Sequence, residues 1–272
     1  MKIIVTGVLF ATLICSNSFA GVIITTENRG LEGTPPEITT SKIYIEGKKM
    51  RIDTNASQTM SGHSMIYRGD LNLIWNIDED RKKYIEMDKN TVDAMGSQIS
   101  QAMKQMQESM AQMPPEQRKM MESMMKGTMP QMQPKKATTM IENTGKKDKI
   151  NGYSCTWYDV LLNGEKVREM CVSNLSEIGI KKETLNVFKD MSRFFSGITE
   201  AMKSSPMSQM NENPFSEFEK LEGYPIIVRR YKGSTVIEES SFKSIEHKKI
   251  NKTFFEIPSG YTKQGFGMGM GR

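Results

Sequence analysis

The chain is poor in the side chains that most catalytic sites use. Among 272 residues there are two histidines, His63 and His247, and three cysteines. Neither histidine sits in a nucleophile, carboxylate or metal-ligand spacing, so hydrolytic and redox chemistry are not expected and no cofactor is implied. The acidic run Asp78-Glu79-Asp80 lies between two strand-like segments and reads as a solvated turn. Long apolar runs are also missing, since nothing after the first twenty residues approaches the roughly 20 apolar residues that cross a bilayer. Neither sign of charge dominates: 37 Lys and Arg stand against 32 Asp and Glu, a net +5, interspersed along the chain. Without a basic stripe, nucleic acid is excluded as a partner, whereas the mild positive balance is compatible with peripheral contact at an anionic membrane surface.

The amino terminus carries an address. Lys2, the apolar run Ile3 to Cys15 and the ending Ser18-Phe19-Ala20 have the anatomy of a secretory signal peptide, with cleavage expected before Gly21. Residues 1–20 are therefore set apart, and the protein is expected in the periplasm or secreted. Cys155 and Cys171 remain, an even pair bound for an oxidising compartment, on either side of the Asn163-Gly164 turn signal. Folding that hairpin brings them close together, which predicts a disulfide.

Period-two alternation and turn residues divide 21–262 into short strands. Val22–Asn28, Thr40–Glu46, Lys49–Thr54, Ser64–Arg68, Leu71–Ile77 and Lys83–Met87 follow one another through turns too short for parallel crossovers, which predicts an antiparallel meander. Ile43 and Ile45 share a face, as do Leu71, Leu73, Trp75 and Ile77. Strands resume at Thr138–Glu142, Ile150–Leu162 and Lys166–Val172, and again at Ile226–Tyr231, Thr235–Glu246 and Phe254–Ile257. A helix is expected from Lys182 to Met202, a mobile linker over 203–214, and a disordered Gly/Met tail over 263–272.

The abundant residue is methionine, 24 in all, eleven of them between Met95 and Met132. Within this 95–134 insertion, Met103, Met106, Met110 and Met113 recur at helical spacing and share one face. Pro114-Pro115 ends or kinks that helix, and Pro115 opens a second segment with Met120, Met121, Met124 and Met125. Three readings follow. Methionine is flexible and polarizable, so a helix faced with it suits an adaptable lid over an apolar ligand, with Leu71, Leu73, Trp75 and Ile77 opposite. Thioethers also select Cu(I), so Met106, Met110, Met113, Met129 and Met132 are candidate soft-metal ligands. Alternatively the methionines only fill a core and the protein is structural.

Several local patterns resemble the exported bacterial proteins of the domain-of-unknown-function 4412 family. They are Tyr44-Ile45-Glu46-Gly47 with Met50-Arg51-Ile52, Ile66-Tyr67-Arg68-Gly69-Asp70 with Trp75-Asn76-Ile77-Asp78, and Lys83-Tyr84-Ile85-Glu86-Met87. Ile150-Asn151-Gly152-Tyr153-Ser154-Cys155, Cys171-Val172-Ser173, Gly223-Tyr224-Pro225-Ile226 and Phe255-Glu256-Ile257-Pro258-Ser259-Gly260-Tyr261 continue the series in order. The resemblance implies the fold group of the periplasmic lipoprotein carriers: mainly β with helices (α+β), a strongly curved antiparallel sheet forming an open half-barrel, with helices inserted on its concave face. It implies a non-catalytic protein that cradles a lipid, an acyl chain or a lipid-modified protein.

Overall fold

The computed structural model describes residues 21–33, 35–56, 62–117, 138–198, 221 and 223–265. The expected signal peptide (1–20), the second methionine segment (Met120 to Met132), the linker at 203–214 and most of the tail lie outside them.

Twelve strands form a single open sheet in the order β12-β6-β5-β4-β3-β2-β1-β11-β10-β9-β8-β7. β1 (Gly21–Gly30), β2 (Glu37–Glu46), β3 (Lys49–Thr54), β4 (His63–Arg68), β5 (Leu73–Asp78) and β6 (Lys83–Asp88) are the predicted meander. β7 (Thr139–Ile150), β8 (Tyr153–Leu162), β9 (Glu165–Ser173), β10 (Tyr224–Lys232) and β11 (Thr235–Lys248) form a second meander, joined to the first where β1 pairs with β11. The tight turns have their physical signature: Asn151 and Asn163 at positive φ each precede a glycine at φ +87°, a conformation these residues adopt with little steric cost.

Three expectations need correction. β7 runs on to Ile150, far past the predicted Glu142; it is an edge strand exposed along almost its whole length, so no apolar alternation marked it. Phe254–Ile257 is not a strand: Lys252–Phe255 is a 3-10 turn capped by the Asn251 side chain, which accepts from the Thr253 N–H. The sheet is also not wholly antiparallel. β12 (Thr262–Gln264), at the start of the expected tail, adds parallel to β6, because the chain reaches that edge from across the sheet rather than through a hairpin.

Two helices cover one face. α1 (Lys89–Gln112) starts directly from β6, where the Asp88 carboxylate accepts from the Thr91 N–H at 2.7 Å and caps the first turn. It stops just before Pro114, as the steric restriction on residues preceding proline requires. α2 (Asn186–Phe194), preceded by a 3-10 turn at Lys182–Leu185, falls within the predicted 182–202; a turn at Phe195 interrupts it before helical residues resume at 196–198, and residues 199–202 lie outside the described set. It buries Val187, Phe188, Met191 and Phe194. Ten strands laid flat would span about 43 Å at the usual strand spacing. Yet one core cluster joins residues of all strands from β6 to β8 with those of a nine-residue helix, so the sheet curls around α2 and this face is concave. No helix among the described residues is long and apolar enough to cross a membrane.

Candidate functional site

The sheet register resolves the concave face into rows of side chains. Met87, Ile74, Tyr67, Met50, Ile45 and Val22 are successive cross-strand partners from β6 to β1, and all are buried. This row is the floor under α2, where the Phe194 ring meets the Tyr67 ring edge-on at 5.8 Å. Burial pushes the Tyr67 hydroxyl up to about 12, with the Asp190 carboxylate of α2 adding to the shift.

The next row is Ile85, Asn76, Met65, Ile52, Ile43, Ile24 and Ile245. Ile24 is fully buried, whereas Ile85, Met65, Ile52, Ile43 and Ile245 are only half-buried, leaving an apolar strip partly open beside the helix-covered floor. Beyond it the face turns polar: Thr54, Ser41 and Thr26 are the next partners, tied by a 3.1 Å Ser41–Thr54 hydroxyl contact and by Asn28 Nδ2 donating to Ser41 Oγ at 3.3 Å. Where β1 and β2 meet the second meander the strip opens into a cavity of about 290 Å3, near the lower end of ligand-pocket sizes. Ile43, Phe242, Tyr224, Leu221, Met170 and Val228 form its apolar walls, and Thr26, Asn28, Ser240, Arg168 and Glu238 its polar side. Burial raises the Tyr224 phenol well above its ordinary value, so it stays neutral.

α1 packs into the main core at Val92. Val92 and Gly96 are buried and Ile99 and Met106 half-buried, so the helix is anchored at its amino-terminal half and opens toward its methionines. Gly96 touches the segment after α2 backbone to backbone, since a Cβ there would lie 2.5 Å from the Gly197 carbonyl oxygen. Met113 is half-buried just past the helix end; the side chains of Met103 and Met110, and Met129 and Met132 entirely, fall outside the described residues. Among the described residues no cluster of three His, Cys, Asp or Glu side chains is arranged for a metal ion.

The apolar residues assigned opposite the methionines are on the other side. Leu73, Trp75 and Ile77 point to the convex face and pack with Ile23, Ile66, Ile250 and Phe255. Leu71 is in the turn before β5 and 51% exposed. Alternation was read correctly along β5 from Leu73 to Ile77, but its apolar side is covered by residues 250–261 rather than by helices. That cover is fastened by Arg68, which donates to Glu256 at 2.5 Å, and by Arg51, whose guanidinium sits 4.6 Å over the Phe254 ring. Trp75 Nε1 donates to Glu86 at 2.8 Å, and Lys263 of β12 reaches the same carboxylate at 2.6 Å. The concave residues that the sequence reading missed are Ile52, Met65, Ile85, Tyr224 and Phe242. Their strand assignments could have placed Ile52, the cross-strand partner of Ile43, and Met65, the partner of Ile52 on the next strand.

Cys155 and Cys171 are bonded, as expected, but not directly opposite: Cys171 pairs with Trp157, and the bridge runs diagonally across the β8–β9 ladder with a Cα separation of 5.3 Å. Both are buried in the main core, and a disulfide fits an exported protein.

Fold and site together define a class: an open, curled sheet with helices on its concave face and an apolar cleft beside them. More particularly, the chain belongs to the family described as Domain of unknown function (DUF4412), whose match spans residues 87–261. No curated protein matches the sequence. Among solved structures it is similar to a conserved uncharacterized protein of Thermus thermophilus, at 6% identity over 92% of both chains with a TM-score of 0.47. A LolA superfamily protein of Nitrosomonas europaea matches at 6% identity over 88% of this chain and 90% of that one, with a TM-score of 0.29. Pseudomonas aeruginosa MucB, in its complex with MucA, matches at 7% identity over 88% of this chain and 56% of that one, with a TM-score of 0.35.

Proposed function

We propose that this protein is an exported, non-catalytic carrier that holds an apolar ligand, a lipid or acyl chain, on its concave face. The carrying observation is the row Ile85, Met65, Ile52, Ile43 and Ile245, which stays half-buried although two helices already seal the neighbouring row. An apolar strip left partly open beside a cavity is the usual mark of a binding groove rather than a finished core. The methionine face of α1, of which Met106 is half-buried, supplies an adaptable cover. Export is supported by the disulfide and by the leader-like sequence of residues 1–20.

The test is uptake of an environment-sensitive fluorescent fatty acid. The double variant Ile52→Lys/Met65→Lys puts two charges in the strip and should abolish uptake while far-UV circular dichroism remains that of the folded sheet. Trp75→Phe, on the convex face, should bind as the parent does. Undiminished uptake by the lysine variant, or equal loss in both, would sink the reading. Stoichiometric Cu(I) retained by a protein that takes up no probe would put a soft-metal site in its place.

A further inference from the structure

The walls of the cavity change in polarity along its depth, and the sheet register sets the order. At the inner end Phe242 pairs with Thr26, and Ile43 and the buried Tyr224 close the space. One step outward Met170, Val228, Ser240 and Asn28 are successive partners across β9, β10, β11 and β1. The next step is charged: Arg168, Arg230 and Glu238. Arg168 and Glu238 both line the cavity, and Glu238 holds Arg230 at 2.5 Å. Arg168 is 8% exposed, so its guanidinium acts where little water competes. A guanidinium has five N–H donors in a planar fork, enough to serve a protein partner and a carboxylate at once.

The volume bounds the rest of the ligand. An engineered apolar cavity of about 150 Å3 takes up benzene, so a cavity near twice that size accommodates roughly twelve carbons. The observed volume is about 290 Å3. Within the cavity that is room for one short chain.

We infer that the cavity binds a single unbranched fatty acid of medium length, its carboxylate at Arg168 and its tail against Met170, Val228, Phe242 and Ile43. This rests on the carrier reading and narrows it to one ligand class. The experiment is displacement of the fluorescent probe from the whole protein by octanoate, decanoate, dodecanoate, myristate, palmitate and stearate, with dodecanol as the neutral control. Affinity should peak near dodecanoate, which should bind at least about tenfold more tightly than dodecanol, the strength expected of a charged hydrogen bond. Arg168→Gln should remove that preference and leave dodecanol unaffected, whereas Val228→Trp, which fills the cavity, should weaken both. Affinity rising steadily to stearate without preference for the charged head would overturn the inference and leave the carrier reading standing. Equal loss of dodecanoate and dodecanol in Arg168→Gln would assign Arg168 a structural role and overturn it too. If no member displaces the probe and the probe itself does not bind, the carrier reading falls as well.

Discussion

Replacing Gly96 with alanine sets two ordinary effects against each other, and the structure decides the sign. Gly96 lies inside α1, where alanine is worth about 1 kcal/mol more than glycine by helix propensity. At an unpacked helical site the substitution would therefore stabilise. Here the new Cβ would stand 2.5 Å from the carbonyl oxygen of Gly197, 2.6 Å from its carbonyl carbon and 3.0 Å from the Ile198 nitrogen. These are backbone atoms, so relief requires α1 to move off the segment that follows α2. Overpacking of this kind costs about 1–3 kcal/mol. After the propensity gain the net expectation is a loss of up to roughly 2 kcal/mol, with Tm lower by about 2–4 °C per kcal/mol for a chain of this length. The converse change, Gly197→Ala, should cost less, because its Cβ first meets the Asp93 Oδ1 at 2.6 Å, the end of a flexible side chain that can turn away at the expense of its exposed ion pair with Lys89. Thermal unfolding followed by circular dichroism measures both. A Gly96→Ala protein more stable than the parent would show that the two helical segments are not in contact at this point.

Three further outcomes are expected. Removing the disulfide with Cys155→Ala/Cys171→Ala should cost about 3 kcal/mol by the chain-entropy relation for a short loop, the separation being 16 residues; a denaturant midpoint unchanged from the oxidised parent would contradict this. Tyr67, raised to about 12 by burial, contributes stability that is complete below the ordinary tyrosine range near pH 10 and is lost as pH climbs toward 12, since the unfolded chain ionises first. Tyr67→Phe should lessen the alkaline fall in denaturant midpoint, and an identical pH profile would refute the assignment. On the acid side, the Arg68 hydrogen bonds hold the Asp70 carboxyl below its ordinary value, and Lys263 and Trp75 do the same for Glu86. Their contribution is present above the ordinary carboxylate range and lost as pH falls through and below it, so Asp70→Asn should flatten the acid limb of the stability curve.

The strands of both meanders were legible because their information is local: alternation, and asparagine–glycine turns that need a left-handed residue. The disulfide was legible for the same reason, since a hairpin brings its two arms together without help from the rest of the fold. β7 was only partly legible, because an edge strand with two solvated faces has no apolar period and is held by hydrogen bonds to β8 alone. β12 left no signal at all, being three exposed residues whose place is defined by a pairing with β6 some 180 positions earlier in the chain.

The binding face shows where local information stops. By itself the sequence determined that β5 has one richly apolar side, Leu73, Trp75 and Ile77, and one sparse side, Ile74 between Asn72 and Asn76. Period two divides a strand into sides but does not say which side curls inward. The tertiary structure decided that, by laying residues 250–261 over the rich side and α1 and α2 over the sparse one. The sparse side becomes a site only when Ile74 lines up with Tyr67, Met50 and Ile45, and Asn76 with Met65, Ile52 and Ile43, from neighbouring strands. That alignment is a property of register and sheet curvature, which arise from strand pairing and helix packing across the whole chain.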